Sequence, residues 1–285
     1  MDYYQHPQPK QPITWSTGKQ WLMQSIKLFQ QMQKHWYATL LILGLAVMIL
    51  SMLSVQVALM FLMLVMPVIT AWYYLLCRRI QTNPQQTQVP GQLWLHCRNL
   101  LLTRLNALLI LGVLAVALNY AMHAVQLMLL EAMQLPVLTQ ETAAEITFSE
   151  ALLRLLVSVL SGLPVALLMA FSPALVIFND DSPIQAMIRS VKTVLFAWQA
   201  ILSLTLWLML LSMAAAFVVS IVMSILANAF GSGFIAVFML FFMGVMMGVV
   251  FSANYVTYDA LYPDPDDIDN VFNINHGQDS IYKEI

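Results

Sequence analysis

Between Lys34 and Arg78 the sequence runs for 43 residues without an Asp, Glu, Lys or Arg. A helix needs about 20 apolar residues to cross the hydrocarbon core of a bilayer, so this interval has room for two crossings and little else. A break at Ser54-Val55-Gln56 divides it. A second uncharged interval, 66 residues from Thr193 to Tyr258, is divided at Gly231-Ser232-Gly233 and holds two more. Water-soluble folds carry about 25% charged residues. Here 9% are charged, 60% are hydrophobic and the mean hydropathy is +0.77. A chain of this composition belongs in lipid.

In order, the apolar stretches predict six spans at 37–54, 57–77, 105–130, 151–178, 198–228 and 234–258. The fold class expected is an all-α integral membrane protein, its six helices arranged as three hairpin-like pairs. One membrane domain covers 18–262, between a polar tail at 1–17 and an acidic tail at 263–285. Each pair follows a short segment that is amphipathic at helical spacing and is expected to lie in the membrane interface. The first sets Trp21, Leu22, Ile26, Leu28, Phe29, Met32 and Trp36 against Lys19, Lys27, Lys34 and four glutamines. The second sets Leu93, Trp94, Cys97, Leu100 and Leu101 against His96, Arg98 and Asn99. The third sets Ile184, Met187, Ile188 and Val191 against Gln185, Arg189 and Lys192. Pro67 should kink the second span, and Pro164 and Pro173 should interrupt the fourth. Glu150 and Arg154 are spaced to pair. Ser182 and Pro183 read as the N-cap and first position of a helix. Trp72, Tyr73 and Tyr74, just ahead of Arg78 and Arg79, are expected to anchor a helix end in the interface.

With six spans, 11 of the 12 Lys and Arg residues fall on one side, and only Arg154 lies opposite. The positive-inside rule makes that side the cytoplasm, with both termini there, and the expected location is a bacterial inner membrane. No cleaved signal peptide is expected, because residues 1–12 lack an apolar core. Cys77 and Cys97 fall on the reducing side and are expected to be free thiols.

Two stripes concern packing and binding. Ser212, Ala216 and Ser220 recur every fourth residue in span five, as do Gly244, Gly248 and Ser252 in span six. Folded antiparallel, 212 would face 252, 216 would face 248 and 220 would face 244, bringing the backbones close together; the GxxxG pair could instead serve a dimer. Asn119, His123 and Gln126 share one face of span three and are the candidate ligand-lining residues, the plainer alternative being hydrogen bonds between helices. Lys19, Lys27, Lys34, Arg98, Arg189 and Lys192 are candidate lipid-headgroup contacts, each worth about 1 kcal/mol against anionic lipid. The acidic tail could dock on them or stay solvated.

Chemistry is harder to find. The sequence contains no HExxH, no phosphate-binding loop, no GxSxG and no CxxC, so no catalytic residue, metal or cofactor is expected. No span has a charged residue near its middle, which weighs against proton- or ion-coupled transport.

The pattern Gly18-x-x-Trp21-Leu22 with Leu28-Phe29 and Trp36, then Ser172-Pro173-Ala174-Leu175, Pro183, Ala186, Ser190 and Trp198, resembles a broad group of uncharacterised bacterial inner-membrane proteins. The group includes the YciC-like proteins and is similar to the membrane domain attached to some glycerophosphodiester phosphodiesterases. The resemblance implies six helices, interfacial helices ahead of helix pairs, and duties in envelope upkeep. It supplies no catalytic residues. The expected function is therefore non-enzymatic support of the cell envelope or its permeability barrier, acting through membrane lipids or an envelope protein partner and without nucleic acid. The alternative is a small-solute or lipid transporter with a cavity at the polar stripe of span three.

Overall fold

A computed structural model describes residues 13–82, 90–135, 147–230 and 232–262. Among them every element is an α-helix: α1 (Trp15–Leu53), α2 (Val55–Thr82), α3 (Pro90–Ala132), α4 (Phe148–Met169), α5 (Ser172–Phe178), α6 (Pro183–Phe196), α7 (Trp198–Phe230) and α8 (Ser232–Leu261). The N-terminal tail to residue 12, Lys10 with it, the acidic loop with Glu141 and Glu145, and the acidic C-terminal tail lie outside the described residues.

Six of these segments are long and apolar enough to cross a membrane, α4 and α5 together counting as one. Their exposure argues the same way. In the most apolar 18-residue window only 6% of α1 and 0% of α7 is buried. Leu41, Ile42, Leu45, Met48, Ile49, Met52 and Leu53 of α1, with Met209, Leu210, Met213 and Phe217 of α7, stand exposed. That much open hydrocarbon is stable against acyl chains and not against water. The protein is an all-α, multi-pass membrane protein.

The amphipathic segments are of two kinds. The third is a separate helix, α6, set off from α7 by a turn at Ala197. The first and second are continuous with the spans that follow. The apolar face of the first is buried: Trp21, Leu22, Leu28, Phe29, Met32 and Trp36 are all below 7% exposed.

The chain divides into two compact units. The larger, His35–Val194, holds α2 to α6 and the second half of α1. Here α2 and α3 run antiparallel and pack along each other, α4 lies against α3, and α5 contacts α2, α3 and α4. A close approach of the α2 and α3 backbones is at Gly112. A Cβ there would collide with the carbonyl oxygen of Leu64 and fall 3.0 Å from its carbonyl carbon. The expected aromatic anchor serves packing. Tyr73 and Tyr74 are buried, Tyr73 meets Trp36 edge-on at 5.1 Å, and Trp72 meets Trp94 at 5.2 Å. The two indole N–H groups keep partners, Trp72 Nε1 donating to Thr39 Oγ1 (3.3 Å) and Trp94 Nε1 to His35 Nδ1 (3.1 Å).

Pro164 sits within an unbroken α4, and the interruption falls at Ala170-Phe171, just ahead of Pro173 in the first turn of α5. Such a break frees backbone groups that lipid cannot satisfy. Ser190 of α6 satisfies two of them: its buried hydroxyl donates to Leu167 O (2.8 Å) and accepts from Phe171 N–H (3.0 Å). Glu150 acts as the third residue of a capping box, its carboxylate accepting from Thr147 N–H at 3.1 Å. Ser182 precedes α6 as expected, but its hydroxyl donates to the Gln185 side chain (3.0 Å).

The smaller unit, Met1–Lys34 with Leu195–Ile285, joins the first half of α1 to α7 and α8. Its close crossing is at Gly18, where a Cβ would fall 2.5 Å from Leu204 N and 2.7 Å from both Ala200 O and Ser203 Cβ. Lys19 Nζ lies 5.5 Å from the Trp207 ring. In α8 the stripe Gly244, Gly248 and Ser252 is buried. In the matching stripe of α7 Ala216 and Ser220 are exposed and Ser212 is half-buried, and the hydroxyls of Ser212 and Ser220 donate to Met209 O and Phe217 O of their own helix. A hydroxyl bonded within its own helix needs no neighbouring helix to satisfy it.

Candidate functional site

Beyond Gly112 the α2–α3 seam opens into a cavity of about 500 Å³ between α2, α3 and α4. Asn119, His123 and Gln126 all line it, on the same wall of α3. The helical period that set them on one face in the sequence therefore brings them to one void. Gln56 joins them from the start of α2, and Ser158 and Ser161 from α4. The rest of the wall is soft and apolar: Leu59, Met60, Met63, Met122 and Val165, with Tyr120 at its side. Gly162 contributes space, since nothing stands within 4 Å of where its Cβ would be.

The polar groups are partly satisfied locally. Asn119 Nδ2 donates to Ala115 O (2.8 Å) and Ser161 Oγ to Ser158 O (3.0 Å). The carbonyl ends of Asn119 and Gln126, the Gln56 amide and the exposed imidazole of His123 leave both donors and acceptors in the cavity's lining, with no carboxylate and no Lys or Arg. Such a lining suits an uncharged or zwitterionic polar head joined to an apolar body. The volume is that of ordinary small-ligand sites, about 300–1,000 Å³. Gln56, Ser158, Ser161 and Gly162 escaped the sequence reading. Ser158, Ser161 and Gly162 do share one face of α4, at i, i+3 and i+4, and that was the available signal.

The proposed headgroup cations separate. Lys27, Lys34, Arg98 and Lys192 are exposed, and Arg98 also reaches Asn99 Oδ1 at 3.5 Å. Lys19 lies over Trp207. Arg189 is engaged inside the protein: Nη1 donates to Asp181 Oδ2 at 2.6 Å, and each side chain is 14% exposed. Burial raises the Asp181 carboxyl above its ordinary value, while the charge and hydrogen bond of Arg189 pull it back down. A carboxyl whose proton affinity is raised by folding contributes most to stability at low pH and loses that contribution as pH rises through the folded value. Arg189→Met removes the restraining cation, so its deficit in melting temperature should be larger at pH 8 than at pH 5. Asp181→Asn should show little such dependence. Equal deficits for Arg189→Met at both pH values would contradict the pairing.

Among the described residues no group of three or more His, Cys, Asp or Glu could hold one metal ion, and Cys77 and Cys97 are buried free thiols. No family model matches the chain, and comparison with curated proteins and with solved structures found no match.

Proposed function

We propose that this chain is a non-enzymatic, multi-pass protein of the bacterial inner membrane, with both termini in the cytoplasm, that serves the cell envelope by taking a lipid or small amphiphilic solute into the cavity between α2, α3 and α4. The observation that carries the reading is the convergence of Asn119, His123 and Gln126 with Gln56 and Ser161 on one void of about 500 Å³ bounded by membrane-spanning helices. A helix that only packed would not need uncompensated space beside its polar stripe. The one-sided distribution of Lys and Arg supports the orientation, and the resemblance to YciC-like proteins supports the envelope role.

The test uses purified protein in nanodiscs and a fluorescent zwitterionic phospholipid. The double variant Asn119→Leu, His123→Leu keeps the volume near that of the wild type and removes the polar contacts. Binding is expected to weaken about tenfold, the loss of one or two hydrogen bonds of roughly 1 kcal/mol each. Unchanged affinity in a folded variant would remove the cavity from the account.

A further inference from the structure

On the other side of Gly112 the same α2–α3 seam opens again, into a separate cavity of about 320 Å³ closed by α5. Its lining differs in kind from the first. Arg78, Arg79 and Arg104 converge on it from α2 and α3, with His96 beside them and the hydroxyls of Thr82 and Thr103 at the edge. None of the lining residues is an Asp or Glu. All three arginines are half-buried. Two are held by groups that fix them in place. Arg78 lies over the Phe178 ring at 4.9 Å, and Arg104 pairs with Asp180, whose side chain is 62% exposed and so stands at the rim. Asp180 is in the left-handed region, φ 61°, which Asp tolerates better than most residues.

We propose that this cavity binds a phosphate group, with the arginines as its cationic wall. Arginine presents a planar fork of donors that matches phosphate oxygens two at a time, and three such forks around one void are the chemistry of a phosphate site. The rest of the lining includes the apolar Leu75, Leu100, Ile177 and Phe178. Leu95 and Leu102 of α3 stand exposed nearby in sequence, 51% and 55%, as lipid-facing residues do. Arginines beside apolar side chains suit a phosphate that carries acyl chains, and basic pockets between membrane helices are where anionic headgroups bind. A water-soluble phosphate ester shares the same oxygen chemistry and would use the same arginines. This site is distinct from the cavity at Asn119, and either could be wrong without the other.

The experiment is a set of titrations on the full-length protein in detergent, read by native mass spectrometry and thermal shift. The ligands are phosphatidylglycerol, diacylglycerol with the same chains, glycerol 3-phosphate and inorganic phosphate. Saturable binding of phosphatidylglycerol at least tenfold tighter than of diacylglycerol is expected, weakening with salt. It should fall at least tenfold in Arg79→Gln and again in Thr103→Trp, which fills the cavity and leaves every arginine in place. Gln30→Ala, which changes an exposed, uncharged residue of α1, should stay within twofold. Phosphatidylglycerol binding without binding of the two soluble phosphates assigns the site to lipid; comparable binding of glycerol 3-phosphate assigns it to a soluble ester. Both outcomes uphold a phosphate site. Equal affinity for phosphatidylglycerol and diacylglycerol, or full affinity in folded Thr103→Trp, overturns it.

Discussion

Gly112→Val is expected to cost on the order of 3 kcal/mol or more, the upper end of what overpacking does, and to leave little folded protein after extraction into detergent. A methyl group at 112 has nowhere to go: it lands on the Leu64 carbonyl, part of a helical backbone that can yield only by moving α2 away from α3. In lipid there is no water to expel, so helices hold together by close backbone approach, and what is lost there is not recovered by burying more grease. Gly44→Val is the control. Nothing lies within 4 Å of a Cβ at 44, so the same change of type should be neutral to within about 1 kcal/mol. Equal melting temperatures for the 112 and 44 variants would show that the seam is not pinched there.

Gly18→Val is expected to be nearly as damaging, about 2–3 kcal/mol, but local. The new side chain meets backbone atoms of Ala200 and Leu204, so the first half of α1 must lift from α7 and the Lys19 contact with Trp207 must loosen. Because Gly18 and Gly112 lie in different compact units, their effects should add to within about 0.5 kcal/mol. Hydrogen exchange is the measurement. Residues 15–34 should lose protection in Gly18→Val while residues 93–115 of α3 keep theirs. Loss of protection spread evenly over both would contradict a crossing confined to α1 and α7.

The span count was legible because it rests on composition over long windows: two uncharged intervals, one Gly-Ser-Gly break and a polar turn at Ser54 are features that packing cannot disguise. The polar stripe of α3 was legible for a related reason, since the period of 3.6 places Asn119, His123 and Gln126 on one face whatever lies opposite. Which neighbour supplied the other wall was not, because Gln56 and Ser161 stand some 60 and 40 positions away in the chain and only tertiary packing joins them.

The amphipathic start of α1 fits two surroundings equally well in the sequence. An apolar stripe opposite lysines and glutamines has the same pattern whether it faces acyl chains or protein, and only the burial of Trp21, Met32 and Trp36 separates the two. A repeating GxxxG draws notice in a sequence, whereas Gly18 and Gly112 are single residues with no period and yet sit at close helix crossings. The arginine cavity was hidden because Arg78, Arg79 and Arg104 served to fix orientation, a role that each fills alone; their convergence needs the antiparallel register of α2 and α3.

The central claim is that the void beside Asn119 and His123 is a binding site, and Gly162→Phe tests it most directly. The ring would grow from α4 into open space without meeting the backbone, so the protein should fold and melt within a few degrees of the wild type. Native mass spectra of protein extracted from membranes should then show an amphiphile retained by the wild type and absent from Gly162→Phe. The same bound species at the same occupancy in both would contradict the account.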